Sequence, residues 1–307
     1  MTEAFAKHDS LPAGTGVDSV CLKIADITIG LTSSDSELKL RVEGPMEKFL
    51  ADEARPDVII RVAWDELSDA DLGTRLFDSG GIWQLFALEG HFVFRVAGPF
   101  SNWLPYKFAQ FNSDFTSGDV FCQRKYFPPE RPVYPLEYPL DELLVTDLLA
   151  TGRGVEVHSC GLIDEAGDGY LFVGHSQAGK TTTARLWEKH PGVRILSDDR
   201  IIIREREDGL WIYGTPWHGE AHLSSAACAP LKHVFFLRQW RHVAVVPLGA
   251  AEAVARFFAC SFPPFHSASG VEFTLSFFEE LVKAVPVLEL RFVPDQSAVE
   301  LIQQTRF

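Results

Sequence analysis

Residues 174–181 read Gly-His-Ser-Gln-Ala-Gly-Lys-Thr, which satisfies G-x-x-x-x-G-K-[ST] at every fixed position. The chemistry of such a string is the capture of a phosphate chain. Gly174 and Gly179 reach backbone angles that other residues resist, so the N–H groups of Gly174, His175, Ser176, Gln177, Ala178 and Gly179 can turn inward on an anion. Lys180 brings a mobile positive charge to the outer phosphates, the Thr181 hydroxyl suits the Mg²⁺ that travels with them, and Thr182 belongs to the same cradle. A second group lies at 193–200, Val-Arg-Ile-Leu-Ser-Asp-Asp-Arg, where a short apolar stretch ends in Asp198 and Asp199. One carboxylate at such a strand end can serve the metal. The other can take a proton from an attacking hydroxyl, because neighbouring acids beside phosphates repel one another and one is driven towards protonation. Strand alternation by itself sends the two side chains to opposite faces.

These residues need particular elements around them. Tyr170, Leu171, Phe172 and Val173 form a short apolar strand signal before the loop, and residues 181–187 suit the first turns of a helix after it. The helix N-terminus adds a partial positive charge to the phosphate cavity. Pro139 followed by Asp141 and Glu142, with leucines at 140, 143, 144, 148 and 149, reads as an amphipathic helix closed by Gly152 and Gly154. Residues 231–237 read as a buried strand, and 250–260 and 298–302 as helices.

Two further stretches carry a resemblance. Val157-His158-Ser159-Cys160-Gly161 looks like the strand that precedes the loop in the HPr kinase/phosphorylase family, and Gly214-Thr215-Pro216-Trp217-His218-Gly219-Glu220 resembles a block in shorter relatives of that family, including kinases of lasso-peptide gene clusters. The similarity spans residues 140–240, about a third of the chain. It implies a fold shared with phosphoenolpyruvate carboxykinase, with a mixed sheet carrying the loop, and often a homo-oligomer. It also implies that His158 lies near the transferred phosphate and that Glu220 joins Thr181 and Asp199 at the metal. Gln177 and Ala178 depart from the usual glycine-containing loop centre, Thr181 replaces a serine, and the Arg-Gly-Leu-Gly-Ile-type signature of HPr recognition is missing, so HPr is not the expected acceptor. On residue type alone His158 reads equally as a hydrogen-bonded core histidine, and Glu220 as a solvated loop carboxylate. Trp211 and Trp217 read as packing residues rather than an adenine platform, and Arg200 and Arg204 as strand-flanking surface groups.

The chain has 307 residues, 46% of them hydrophobic, enough for two domains with real cores. A net charge of −14 argues against nucleic-acid or anionic-membrane partners. Five scattered cysteines without a C-x-x-C pair suit reduced thiols in the cytoplasm, and no secretory signal or spanning apolar run is evident. Residues 1–17 read as a flexible tail. Residues 18–135 read as a β-rich domain, from period-two runs at 21–29, 38–42, 58–62, 83–86 and 92–96, with a loop or linker at 111–132. Residues 136–307 read as the loop-bearing catalytic domain.

The expectation is an α/β protein with an HPr-kinase-like domain behind a β-rich one. It would act as an ATP- and Mg²⁺-dependent kinase on a hydroxyl of a peptide, protein or small metabolite. Lys180 and the loop amides would hold the phosphates, Thr181, Asp199 and Glu220 the metal, and Asp198 with His158 the acceptor proton, with the two aspartates exchangeable in role. The alternatives are a nucleotide-binding regulatory module or switch ATPase without phosphotransfer, and a carboxykinase-like lyase for which no arginine set is evident.

Overall fold

The computed structural model describes residues 16–69, 71–128 and 130–305. It is a mixed α/β protein with two mixed sheets and few helices. The first sheet has nine strands: β1 (Ser19–Ile24), β2 (Ile27–Ser33), β3 (Leu50–Ala51), β4 (Val58–Trp64), β5 (Thr74–Asp78), β6 (Trp83–Leu88), β7 (His91–Ala97), β8 (Pro105–Phe111) and β9 (Ser117–Cys122). Their spatial order is β3-β1-β2-β4-β9-β8-β7-β6-β5. Only the β2–β4 and β4–β9 pairings are parallel.

Alternation decides its two faces. Val58, Ile60 and Val62 are buried, whereas Ile59 is 57% exposed and lies among Arg61, His91, Gln110 and Asp119 on a wet face. The buried face is covered by α1 (Leu140–Leu148), whose Leu140, Leu144, Val145 and Leu148 join the same core as Leu22, Ile29, Ile60 and Phe94. A helix expected to open the second domain therefore completes the first core. Its last turn widens over Leu149–Arg153 and ends through Gly152 at φ 99 and Gly154 at φ 150, as the two glycines suggested.

The second sheet contains β10 (Val155–Ile163), β11 (Gly169–Val173), β12 (Arg194–Ser197), β13 (Arg200–Arg206), β14 (Gly209–Gly214), β15 (Cys228–Gln239), β16 (Ala244–Pro247) and β17 (Val287–Phe292). Pairing runs β11-β10-β13-β14-β15 and returns from β15 to β11 in parallel, so five strands close a circuit. Strand β17 extends it in parallel beside β15, and β12 pairs with β10. Helix α2 (Lys180–Trp187) and α5 (Ser297–Gln304) pack on one face with Cys160, Phe172, Phe235, Leu290 and Phe292. Helices α3 (Ala250–Ala259) and α4 (Ala268–Ala284) pack on the other with Val157, Val173, Val234 and Phe236. No described helix is long and apolar enough to cross a membrane.

Several local readings change. The run at 21–29 breaks into the hairpin β1–β2, because Ala25 and Asp26 both take positive φ, 50° and 58°. Residues 38–42 keep alternating burial but form only isolated bridges, from Leu40 to Val17 and to Val133. The segment 111–132 holds β9, a central strand rather than a linker. Gly118 occurs there because a Cβ would lie 2.4 Å from the Phe111 ring. The tail expected over 1–17 lies outside the described residues up to 15, and Val17 already donates its N–H to Leu40 O at 3.0 Å.

Candidate active site at the phosphate loop

Strand β11 is held on both sides, Val173 opposite Ser159 of β10 and Phe236 of β15, so its C-terminal end is a fixed point. From it the chain turns at Gly174, where a Cβ would lie 2.6 Å from that of Ala178. The loop folds back through Gln177 at φ 66 and Gly179 at φ 112, and Ala178 N–H closes on His175 O at 3.1 Å. Gly179 also needs its missing Cβ, which would meet the Phe292 ring at 2.5 Å. Helix α2 begins at Lys180, and its ladder starts with Thr183 N–H to Gly179 O at 2.8 Å. The first-turn amides, including those of Thr181 and Thr182, have no partner within the helix and present their dipoles to the loop. His175, Ser176 and Gln177 of the loop are exposed.

The Lys180 ammonium bonds to Gly174 O and His175 O, each at 3.0 Å. Burial lowers its proton affinity, against the opposing attraction of Asp199. Lys180 thus lies across the loop whose phosphates it is expected to meet.

The adjacent acids separate where β12 ends at Ser197. Asp198 is buried, with Oδ1 accepting Gly219 N–H at 3.0 Å and Oδ2 accepting Ala221 N–H at 3.0 Å. The Thr181 hydroxyl stands 3.4 Å from the same Oδ2. Gly219 permits this approach, since a Cβ there would fall 2.8 Å from Asp198 Oδ2. Asp199 turns the other way: its Oδ1 lies 2.8 Å from His158 Nε2, and its Oδ2 accepts from the Arg200 guanidinium. Burial would raise the proton affinity of Asp199, but the His158 hydrogen bond and the Arg200 charge prevail and hold it below the ordinary carboxylate range. The carboxylate beside Thr181 is therefore Asp198; of the two exchangeable roles, it is Asp198 rather than Asp199 that stands at the hydroxyl. Glu220, expected at the metal, is solvent-exposed between the two amides that bind Asp198.

Arg200, read from sequence as a surface group, organises the far side of Asp199. Its Nε lies 2.8 Å from Glu142 Oε1 and 3.5 Å from Glu156 Oε1, and its guanidinium stacks 4.1 Å from the centre of the Phe262 ring. Glu156 is wholly buried. Burial and the Glu142 charge push it well above the ordinary range, against the pull of Arg200. The spacing Glu156-x-His158 in a strand was the available signal, since it puts both side chains on one face. Arg204 does not reach this group, because it bonds Arg153 O and Ala25 O instead. Trp217 is buried in the first core, and Trp211 packs against Arg206.

A cleft of about 500 Å³ on the first sheet is bordered by Asp69, Leu72, Phe86 and Arg95. Arg95 is already spent on Asp69 at 2.6 Å and Trp103 O at 2.9 Å, so it offers a phosphate far less than the loop does.

The oxygen donors fit a hard cation. Mg²⁺ keeps most of its coordination for water and phosphate and asks the protein for one or two oxygens, which the Thr181 hydroxyl and the Asp198 carboxylate supply. No group of three or more His, Cys, Asp or Glu side chains is arranged for a metal among the described residues. No family model matches the chain, and no curated protein matches it either.

Proposed function

We propose that this protein is an ATP- and Mg²⁺-dependent kinase that transfers the γ-phosphoryl group to a hydroxyl, and that its second sheet is an HPr-kinase-like catalytic unit. The observation that carries the reading is the division of labour around the loop. A hydroxyl and carboxylate pair, Thr181 and Asp198, stands at the helix start, and an ionised carboxylate, Asp199, stands beside His158 on the neighbouring strand. The strand, loop and helix sequence around residues 174–181 supports the fold assignment.

In this reading Lys180 leaves the carbonyls of Gly174 and His175 and, with the loop amides, takes the charge of the outer phosphates. Thr181 and Asp198 hold the Mg²⁺, whose chemistry is to neutralise the β- and γ-phosphates. Asp199, oriented by His158 and Arg200, accepts the acceptor's proton. The acceptor oxygen bonds to the γ-phosphorus as the bond to the β–γ bridging oxygen breaks, and ADP departs. The acceptor is a serine of a peptide or protein, or a small hydroxyl metabolite.

The test is titration calorimetry of ATP with Mg²⁺ on wild type and Lys180→Ala, with γ-phosphate transfer into a cell extract followed in the same samples. Binding and transfer that are both lost in the variant support the kinase. Binding without transfer favours a regulatory module or switch ATPase, and absence of binding by the wild type overturns the proposal.

A further inference from the structure

The sheet order gives the nucleotide a direction. Across the second sheet the strands run β10, β11, β15, β17, so the phosphate loop at the end of β11 has His158 on one flank and the ends of β15 and β17 on the other. The groups suited to the γ-phosphate end, Asp198, Asp199 and His158, all belong to the β10 and β12 side. For a nucleotide with its terminal phosphate there, the ends of β15 and β17 form the opposite flank of the loop.

At that end stands Trp240, the residue immediately after β15, with 46% of its surface exposed. Its backbone N–H donates to Phe292 O at 2.9 Å, and the Phe292 ring lies against Gly179 of the loop. The preceding Gln239 donates its side-chain amide to Gln177 O at 3.1 Å, which ties the end of β15 to the loop directly. Two guanidiniums approach the indole, Arg238 at 4.8 Å and Arg291 at 5.2 Å from its ring centre. Both are anchored by the buried Glu289 carboxylate, which Arg291 meets at 2.8 Å and Arg238 at 3.5 Å, with Arg256 at 2.8 Å on its second oxygen. The ring is thus positioned by two partly exposed guanidiniums that share one buried carboxylate. Trp211 and Trp217, by contrast, are engaged with Arg206 and with the first core.

We propose that Trp240, held in place by Arg238 and Arg291, is the platform on which the aromatic base of the nucleotide stacks. The inference rests on the phosphate-loop reading above and extends it to the other end of the ligand. Stacking on an aromatic side chain accepts any base with a π-face, so a purine or pyrimidine triphosphate is bound more tightly than a bare polyphosphate.

The test compares ATP with inorganic tripolyphosphate, each with Mg²⁺, on the full chain by titration calorimetry. Trp240→Ala weakens ATP about ten-fold while leaving tripolyphosphate unchanged, Trp240→Phe retains most of the ATP affinity, and Lys180→Ala weakens both ligands. Unchanged ATP binding in Trp240→Ala overturns the platform while the loop reading stands. A parallel fall of both ligands in both Trp240 variants overturns it too. If the wild type takes up neither ligand, the loop reading fails and the platform with it.

Discussion

The carboxylates of Asp198 and Asp199, adjacent in the chain, address different partners: Asp198 Oδ2 lies 3.4 Å from the Thr181 hydroxyl, and Asp199 Oδ1 lies 2.8 Å from His158 Nε2. Their amide variants should therefore fail differently. Asp199→Asn is expected to lower γ-phosphate transfer about 10²–10⁴-fold, the range typical of a positioned proton acceptor, with ATP affinity nearly unchanged. Asp198→Asn is expected to abolish the Mg²⁺ dependence of ATP binding. Titrations with and without Mg²⁺, alongside transfer rates, check both. Equal loss of binding in the two variants would contradict the division.

Gly219 bears on the same pair. Gly219→Ala places a methyl 2.8 Å from Asp198 Oδ2, so either the carboxylate or the 219–221 segment must shift. The expected result is a loss of about 1–3 kcal/mol in stability and weaker ATP binding in Mg²⁺, with Mg²⁺-free binding unaffected. Thermal unfolding and calorimetry read the two effects separately. A variant that matches wild type in both would show that the contact is slack.

A third expectation concerns pH. Asp141 is buried on the first turn of α1, and burial pushes its carboxyl up to about 7. The folded chain holds that proton more tightly than the unfolded chain, where the group titrates near 3.8. The resulting stabilisation is complete below about 3.8 and is lost as pH rises to about 7. Asp141→Asn cannot ionise, so it should exceed wild type in stability by about 2–4 kcal/mol at pH 8, and the gain should vanish near pH 4. Denaturant unfolding at the two pH values measures it, and a gain independent of pH would point to a different cause.

The fourth concerns where the chain divides. Leu144 is fully buried in the first core although it follows residue 135, so Leu144→Ala should cost about 3 kcal/mol. Residues 136–307 expressed alone would expose the α1 leucines, bind a hydrophobic dye and lose cooperative unfolding. A sharp cooperative transition in that fragment would restore the boundary at 135.

How much of this was legible in the residues follows the range of the interactions. The strand, loop and helix at 169–187 are encoded locally, in an apolar run, two glycines and a lysine, and all three elements occur where the pattern placed them. The partition of the two acids was not legible. It is decided by the amides of Gly219 and Ala221, more than twenty residues away, and by Glu142 acting through Arg200. Strand β9 was hidden among turn-forming residues, because the space left by Gly118 is filled by Phe111 from the neighbouring strand. Helix α4 is capped by Ser267, whose hydroxyl accepts Gly270 N–H at 3.1 Å, and its aromatic face is set by contacts such as the stacking of Phe278 on Phe257 at 4.8 Å.

Helix α1 is rooted in the core of the first sheet, yet its Glu142 grips Arg200, which grips Asp199. The two halves of the chain share one core, which Ile202, Tyr213 and Trp217 of the second half enter, and this chain of charges crosses the same boundary. Arg200 therefore ties the carboxylate beside His158 to a helix of the first core, so a change in the packing of α1 would be felt at Asp199 through two ion pairs.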